Sequence, residues 1–127
     1  MKWFTSPLCL SFLIISPALA FADVTVRSQI IEIFTGWNAD QFGIKIADPI
    51  NNDGNPANCH PNGHPPTGYM SESSRPGYQI FYAAALLAFA ERANVAIRVD
   101  DEGCVGGTAR DPKDGFPRLI GIDIFRK

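Results

Sequence analysis

Hydrophobic residues recur at helical spacing in one stretch of the chain, residues 78–92, which reads YQIFYAAALLAFAER. The first apolar stripe holds Tyr78, Phe81, Tyr82, Ala85, Leu86 and Phe89, and the second holds Ile80, Ala84, Leu87 and Ala88. A helix that is apolar on two sides needs two surfaces to pack against. The pattern therefore predicts a helix that ends near Asn94, packs on its own sheet and presents its outer stripe to a second copy of the chain.

Apolar and polar residues alternate with a period of two on both sides of this helix, which predicts strands. In the first strand the apolar positions change phase at Ile31 and Ile33, which indicates a bulge. The run from Asp100 to Gly103 is charged and predicts a turn between the last two strands. The predicted strands cover residues 23–35, 41–47, 68–71, 95–99 and 118–126, with Ile120, Ile122 and Ile124 on one face of the last.

The order of these elements is two strands, a weak strand, a helix and two more strands. This is the order of the OB-fold, a small five-stranded barrel with a helix between strands three and four. We therefore predict a mostly β (α+β) OB-fold-like barrel. A ferredoxin-like sandwich, which needs a helix after its first strand, and an open sheet with one helix across it are the rival architectures.

The first 22 residues have the composition of a secretory signal peptide. Lys2 precedes an apolar run from Leu8 to Ile15, and Ala20-Phe21-Ala22 forms a small-x-small cleavage site. A transmembrane anchor is the alternative, but Ser16 and Pro17 interrupt the apolar run before it reaches spanning length. The pattern predicts a signal peptide over residues 1–22 and one secreted or periplasmic domain over residues 23–127.

Two cysteines, Cys59 and Cys104, remain after the predicted cleavage. An even number of cysteines in an exported domain favours a disulfide, with free or metal-bound thiols as the alternative. His60 and His64 lie beside Cys59, but the prolines around them prevent the helical geometry that would direct both rings at one metal ion. We therefore expect a disulfide and neither a metal nor another cofactor.

The formal charge of the whole chain is −2. With no basic excess, the composition disfavours nucleic acid and an anionic membrane surface as partners. Asp100, Asp101 and Glu102 are candidates for the paired carboxylates of a glycoside hydrolase. A charged hairpin turn is the far commoner explanation of such a run, and the sequence has no nucleophile motif. We therefore expect a protein that is not an enzyme.

Trp37 lies in the turn between the first two strands, flanked by Asn38 and Asp40. In OB-folds this connection and the one between strands four and five bind oligosaccharides or oligonucleotides. A sugar ring stacks on an aromatic side chain, and nearby amides and carboxylates bind its hydroxyls. The predicted site comprises these three residues with Arg110 and Lys113 of the second connection. The alternative is that Trp37 folds back and caps the barrel end.

Three short runs of sequence resemble a known family. They are Ile31-Glu32-Ile33-Phe34-Thr35-Gly36, the helix that leads into Asn94-Val95-Ala96-Ile97-Arg98-Val99, and the strand from Leu119 to Ile124. Together they resemble the B subunit of subtilase-type cytotoxins and related small secreted bacterial proteins. The resemblance implies an OB-fold, a ring of five subunits, binding of sialylated cell-surface glycans and an A subunit as partner. The alternative is a monomeric periplasmic or extracellular domain that binds a protein or serves structure.

Overall fold

The computed structural model describes residues 23–35 and 41–126. Within them five strands form a closed barrel, and one helix packs against it. The predicted signal peptide lies outside the described residues. Around the barrel the strands follow the order β1-β2-β3-β5-β4, and β4 returns to β1. The predicted barrel, with its helix between the third and fourth strands, is confirmed. Its elements are β1 (Val24–Thr35), β2 (Gln41–Ile46), β3 (Gly68–Glu72), α1 (Tyr78–Glu91), β4 (Asn94–Val105) and β5 (Phe116–Phe125).

β1 is long enough to belong to both halves of the barrel. Its first half pairs with β4 and its second half with β2, and the register shifts between Ile30 and Glu32. The predicted bulge is therefore confirmed. Ile31, which lies at the shift, is 57% exposed rather than part of the core, whereas Ile33 packs against the core. A bulge adds one residue that has no partner, and the neighbouring side chains keep their inward direction.

The barrel interior is filled by aliphatic and aromatic side chains from all five strands and is closed by α1. Ala85 and Ala88 are the helix residues at the centre of this contact, and both are fully buried. Their small side chains let the helix backbone approach the strands closely. The ring of Phe42 lies between those of Tyr78 and Tyr82, at centroid distances of 5.4 and 5.2 Å. The predicted helix thus packs on its own sheet, as expected.

The helix ends earlier than the sequence predicted. Its last residue is Glu91, and Arg92 adopts a left-handed backbone (φ 52°) and donates its N–H to the Phe89 carbonyl at 3.3 Å. Asn94, predicted as the helix end, is instead the first residue of β4 and pairs with Gln29 of β1. Arginine rarely adopts the left-handed region, so the sequence gives no signal of this stop.

The predicted turn from Asp100 to Gly103 is wrong, because β4 continues through it to Val105. The pairing of β4 with β5 is irregular between Val99 and Cys104. Asp100 is only 3% exposed, and the guanidinium groups of Arg75 and Arg118 contact its carboxylate. A charged residue can lie in a buried strand position when opposite charges reach it from elsewhere in the fold.

β5 begins at Phe116, two residues before the predicted start, so that Phe116 pairs with Val105 and Pro117 with Cys104. A register shift opposite Arg98 and Val99 changes the face that points inward. Leu119 is fully buried and Ile122 packs against the core, whereas Ile124 is 37% exposed. The predicted single face of Ile120, Ile122 and Ile124 is therefore wrong in part.

The disulfide between Cys59 and Cys104 is present, with an S–S distance of 1.99 Å, and confirms the prediction. It anchors the long connection between β2 and β3 to the end of β4. The side-chain amide of Asn55 supports this anchor, because it donates to the Cys59 carbonyl at 2.9 Å and accepts the Cys59 N–H at 2.8 Å. Within residues 23–35 and 41–126, no helix has the length and hydropathy needed to cross a bilayer.

Candidate binding site at the barrel mouth

The end of β1 at Thr35 and the start of β2 at Gln41 lie beside the connection between β4 and β5 at the rim of the barrel. Between them lies a cavity of about 500 Å³. Thr35 and Gln41, the residues on either side of the β1–β2 connection, both line it, and Gly106 and Asp114 line it from the β4–β5 connection. We call this cavity the mouth cavity. Its size lies within the range of roughly 300–1,000 Å³ that is typical of small-molecule sites.

Two phenylalanine rings form the apolar wall of the mouth cavity. Phe34 of β1 and Phe116 of β5 lie 5.8 Å apart between centroids, with their planes tilted by 54°. The Phe34 ring lies directly over Gly43 of β2, where an added Cβ atom would come within 2.2 Å of the ring. Gly43 therefore leaves the space that this ring occupies. Both phenylalanines are half-buried, so part of each ring remains accessible to a ligand.

The rim of the mouth cavity is polar. It carries the Thr35 hydroxyl, the Gln41 and Asn62 amides and the Asp114 carboxylate. The backbone N–H of Asn62 donates to Asp114 Oδ1 at 2.5 Å, which joins the two connections that supply these residues. Amides, hydroxyls and a carboxylate together offer both donors and acceptors to a polyhydroxylated ligand.

The wall formed by the short 3₁₀ turn Pro61–Gly63 is held in place by several contacts with the β4–β5 connection. The His60 N–H donates to the Lys113 carbonyl at 2.8 Å, and Lys113 Nζ donates to the Ala57 carbonyl at 2.5 Å. His60 Nε2 lies 3.1 Å from Asp111 Oδ2. The hydrogen bond to His60 holds the pKa of the Asp111 carboxyl below its ordinary value, and the N–H of Lys113 assists. Together with the disulfide, these contacts fix one side of the mouth cavity.

The residues predicted to bind sugar fall into two groups. Trp37, Asn38 and Asp40 lie in residues 36–40, outside the described residues, although the residues on either side of that segment line the mouth cavity. Arg110 and Lys113 both lie in the β4–β5 connection, where Arg110 is exposed and the ammonium group of Lys113 is bonded to Ala57.

Sequence reasoning named none of the described lining residues as part of the site. Those it missed that carry an aromatic ring or a polar group are Phe34, Thr35, Gln41, Asn62, Asp114 and Phe116. The position of Phe34 at the end of the first strand is a signal that places it at the same mouth. Asn62 carries no such signal, because its place depends on how the disulfide folds the β2–β3 connection across the barrel end.

The three acidic residues considered for catalysis are not presented together. Asp100 is buried, and its Oδ2 lies 3.4 Å from Arg118 Nη1 and also contacts Arg75. Arg118 extends the cluster through Nε, which lies 3.5 Å from Glu72 Oε1. Among the described residues, no group of three or more His, Cys, Asp or Glu side chains is arranged to hold a metal ion.

The outward side of α1 is apolar from Ile80 to Ala90. The exposed fractions are 73% for Ile80, 52% for Leu87, 43% for Leu86 and 44% for Phe89. Exposed aliphatic and aromatic residues on consecutive turns form a contiguous surface, which we call the outer helix face. Contiguous apolar surfaces of this kind usually mark an interaction site.

No family model matches the chain, and no curated protein or solved structure is significantly similar to it. The assignment to the OB-fold and the resemblance to toxin B subunits therefore stay predictions. The barrel itself, its strand order and its mouth cavity stand on the structure alone.

Proposed function

We propose that this chain is a secreted glycan-binding module whose site is the mouth cavity. One observation carries the proposal: two partly accessible phenylalanine rings and a rim of amide, hydroxyl and carboxylate groups enclose one cavity beside the β4–β5 connection. The predicted sugar-binding segment 36–40 lies in sequence between Thr35 and Gln41, and both of these residues line the cavity. In barrels with this strand order, those connections are where oligosaccharides bind.

The chemistry of the mouth cavity suits a sugar better than a wholly apolar ligand. The C–H face of a pyranose stacks on an aromatic ring, and here the rings of Phe34 and Phe116 supply such a surface. Gln41, Asn62 and Asp114 then stand where the hydroxyl groups at the edge of the sugar ring need donors and acceptors.

A binding role explains the mouth cavity without catalysis. Glycoside cleavage ordinarily uses two carboxylates about 5–10 Å apart. Among the described residues that line the cavity, Asp114 is the one acid, and the Asn62 N–H occupies one of its oxygens. We therefore propose recognition of the glycan and not its hydrolysis.

Sugar binding is tested with the exported chain, residues 23–127. Trp37 is the sole tryptophan after residue 22, so its fluorescence reports directly on the predicted segment. We expect glycan-array binding and a saturable fluorescence change. Phe116→Ala should weaken binding at least about tenfold, because it removes half of the stacking surface. Phe125→Ala is the matched control, since Phe125 is a half-buried residue of the same strand at the other end of the barrel. The absence of any response from folded protein would refute the proposal.

We further propose that the outer helix face packs against a second copy of the chain. The exposed residues of this face are uncharged from Gln79 to Ala90, so a strongly charged partner gains nothing there. Two copies that bury this face against each other would remove the exposed side chains of Ile80, Leu87 and Phe89 from water. Neighbouring copies that bury this face would form the homo-oligomer, a ring of five, that the resemblance implies.

Self-association is tested by light scattering of the purified chain at tens of micromolar. We expect an oligomer, and we expect Leu87→Glu to give a monomer with an unchanged circular dichroism spectrum. Asn52→Glu, at an exposed loop position far from α1 in sequence, is the matched control and should leave the oligomer intact. A wild-type monomer would favour the second candidate, a monomeric domain that binds a different protein through the outer helix face.

Export is the remaining part of the proposal. The disulfide supports an oxidising compartment, because such bonds are rare in proteins that stay in the cytosol. Mass spectrometry of protein expressed with residues 1–22 should show cleavage after Ala22 and paired thiols. An intact N-terminus on the exported protein would contradict the predicted signal peptide. An A subunit as partner rests on the resemblance alone.

A further inference from the structure

The polar groups that line the mouth cavity are neutral or acidic. Thr35, Gln41 and Asn62 are uncharged and Asp114 is an acid, and no lysine, arginine or histidine is among the described lining residues. The described lining of the cavity therefore carries one acidic side chain and no basic one.

Side chains near the cavity that could carry positive charge are already engaged. Lys45, which lines an adjoining cavity together with Phe34 and Phe116, pairs with Glu32 at 2.9 Å. Lys113 Nζ donates to the Ala57 carbonyl, and the His60 ring pairs with Asp111. Both contacts hold the Pro61–Gly63 wall in place. If Lys113 or His60 turned towards a ligand, its contact would break and the wall would lose that support. Arg110 is exposed in the same connection and does not line the cavity.

A sialic acid residue carries a carboxylate at neutral pH. In this cavity that carboxylate would face Asp114, with no cation among the described lining residues to compensate it, and like charges in a partly desolvated site disfavour binding. An uncharged pyranose meets no such penalty and still gains the stacking surface and the hydrogen bonds of the rim.

We infer that the mouth cavity binds an uncharged hexopyranose, such as a galactose or N-acetylated hexose unit, and rejects sialic acid. The inference rests on the proposed glycan-binding function and departs from the sialylated ligand that the resemblance implies. Asp114 is then a specificity-determining residue, because it both binds a sugar hydroxyl and repels a ligand carboxylate.

The test compares two matched ligands by calorimetry and by Trp37 fluorescence. One is a galactose-terminated disaccharide, and the other is the same disaccharide capped with sialic acid. We expect the uncapped ligand to bind at least about tenfold more tightly, and we expect high salt to narrow the difference, because salt screens the repulsion. Asp114→Asn keeps an oxygen that accepts the Asn62 N–H and removes the charge. This variant should reduce the ratio of the two affinities, uncapped over sialylated ligand, severalfold. Asp53→Asn, at an exposed loop position, should leave that ratio unchanged.

The outcomes separate the inference from the function on which it rests. Tighter binding of the sialylated ligand would overturn the inference and leave the glycan-binding function standing. If Arg110→Ala then abolished this tighter binding, Arg110 would be identified as the residue that binds the sialic acid carboxylate. Binding of neither ligand by folded protein, together with an array that shows no sugar response, would overturn both. A preference for the uncapped ligand that Asp114→Asn does not change would refute the role of Asp114.

Discussion

Among side chains of its size, Asp100 is the one whose replacement should lower the free energy of unfolding most. Its carboxylate lies at the centre of the charge cluster that joins β4 to Arg75, in the connection before α1, and to Arg118 of β5. Among the described residues, β3 and β5 share one register pair, Met70 with Arg118. The ion pairs around Asp100 therefore stabilise the seam where backbone pairing between strands is weakest.

The expected cost of Asp100→Asn follows from burial. The Asp100 side chain is 4% exposed, whereas Arg75 and Arg118 are 29% and 21% exposed. Removing one partner of a fully buried ion pair costs about 3–5 kcal/mol, because the remaining charge is left uncompensated. The two arginines reach water in part and can recover some hydration, which places the expected loss of unfolding free energy at about 3 kcal/mol. For a domain of this length that lowers Tm by roughly 10–20 °C.

Urea denaturation and a thermal scan of the oxidised exported chain measure this loss. Asp123→Asn, at an exposed position of β5, is the matched control and should change the unfolding free energy by less than about 0.5 kcal/mol. A double-mutant cycle with Arg75→Met should give a coupling energy of about 1–2 kcal/mol. A loss below about 1 kcal/mol for Asp100→Asn, or a cycle without coupling, would refute the view that the cluster stabilises the barrel seam.

Three further predictions concern the mouth cavity and its supports. Replacing Cys59 and Cys104 by alanine should lower the unfolding free energy by about 4 kcal/mol, since the bond closes a loop of 45 residues, and equal stability of oxidised and reduced chains in urea would contradict this. Gly43→Ala should displace the phenyl ring above it and weaken sugar binding by more than it lowers Tm, which calorimetry and a thermal scan compare directly. The third prediction concerns Asp111, whose ionised carboxylate stabilises the fold. This stabilisation is present above the ordinary carboxyl pKa and is lost as the pH falls through the lowered pKa of the folded state. His60→Ala should raise that pKa towards its ordinary value in an NMR titration, and an unmoved midpoint would show that the histidine is not the cause.

The barrel architecture was predictable because its signals are local. Alternation in β1 and β2 and the alanine-centred helix each follow from residues within a few positions of one another, and their order restricts the topology. Two errors lie at the two ends of β4, and only the one at Asp100–Gly103 has a non-local origin. The charges of Asp100–Gly103 indicate a turn until Arg75 and Arg118 are known to lie beside Asp100. The early helix stop depends on an arginine in a backbone conformation that its sequence does not signal.

The site prediction named the two connections but none of the described residues that line the mouth cavity. The strand order alone does not bring the ends of β1 and β2 next to the β4–β5 connection, because β1 and β4 are antiparallel. The part of β4 beyond its pairing with β1, together with the pairing of β5 with β3, brings these parts of the barrel together. Asn62 and Asp114 are 52 positions apart, and the disulfide together with the contacts of His60 brings them together. The role of Trp37 stays a prediction, because it lies outside the described residues.

The anchoring of the Pro61–Gly63 wall on residues 104–114 has a consequence for biosynthesis. The phenylalanine wall also needs Phe116, near the carboxyl end of the chain. A nascent polypeptide therefore lacks both supports of this cavity until residues 104–116 have left the ribosome and the two thiols have been oxidised. Premature termination anywhere before β5 would remove Phe116, so the truncated product would lack one of the two rings of the cavity wall.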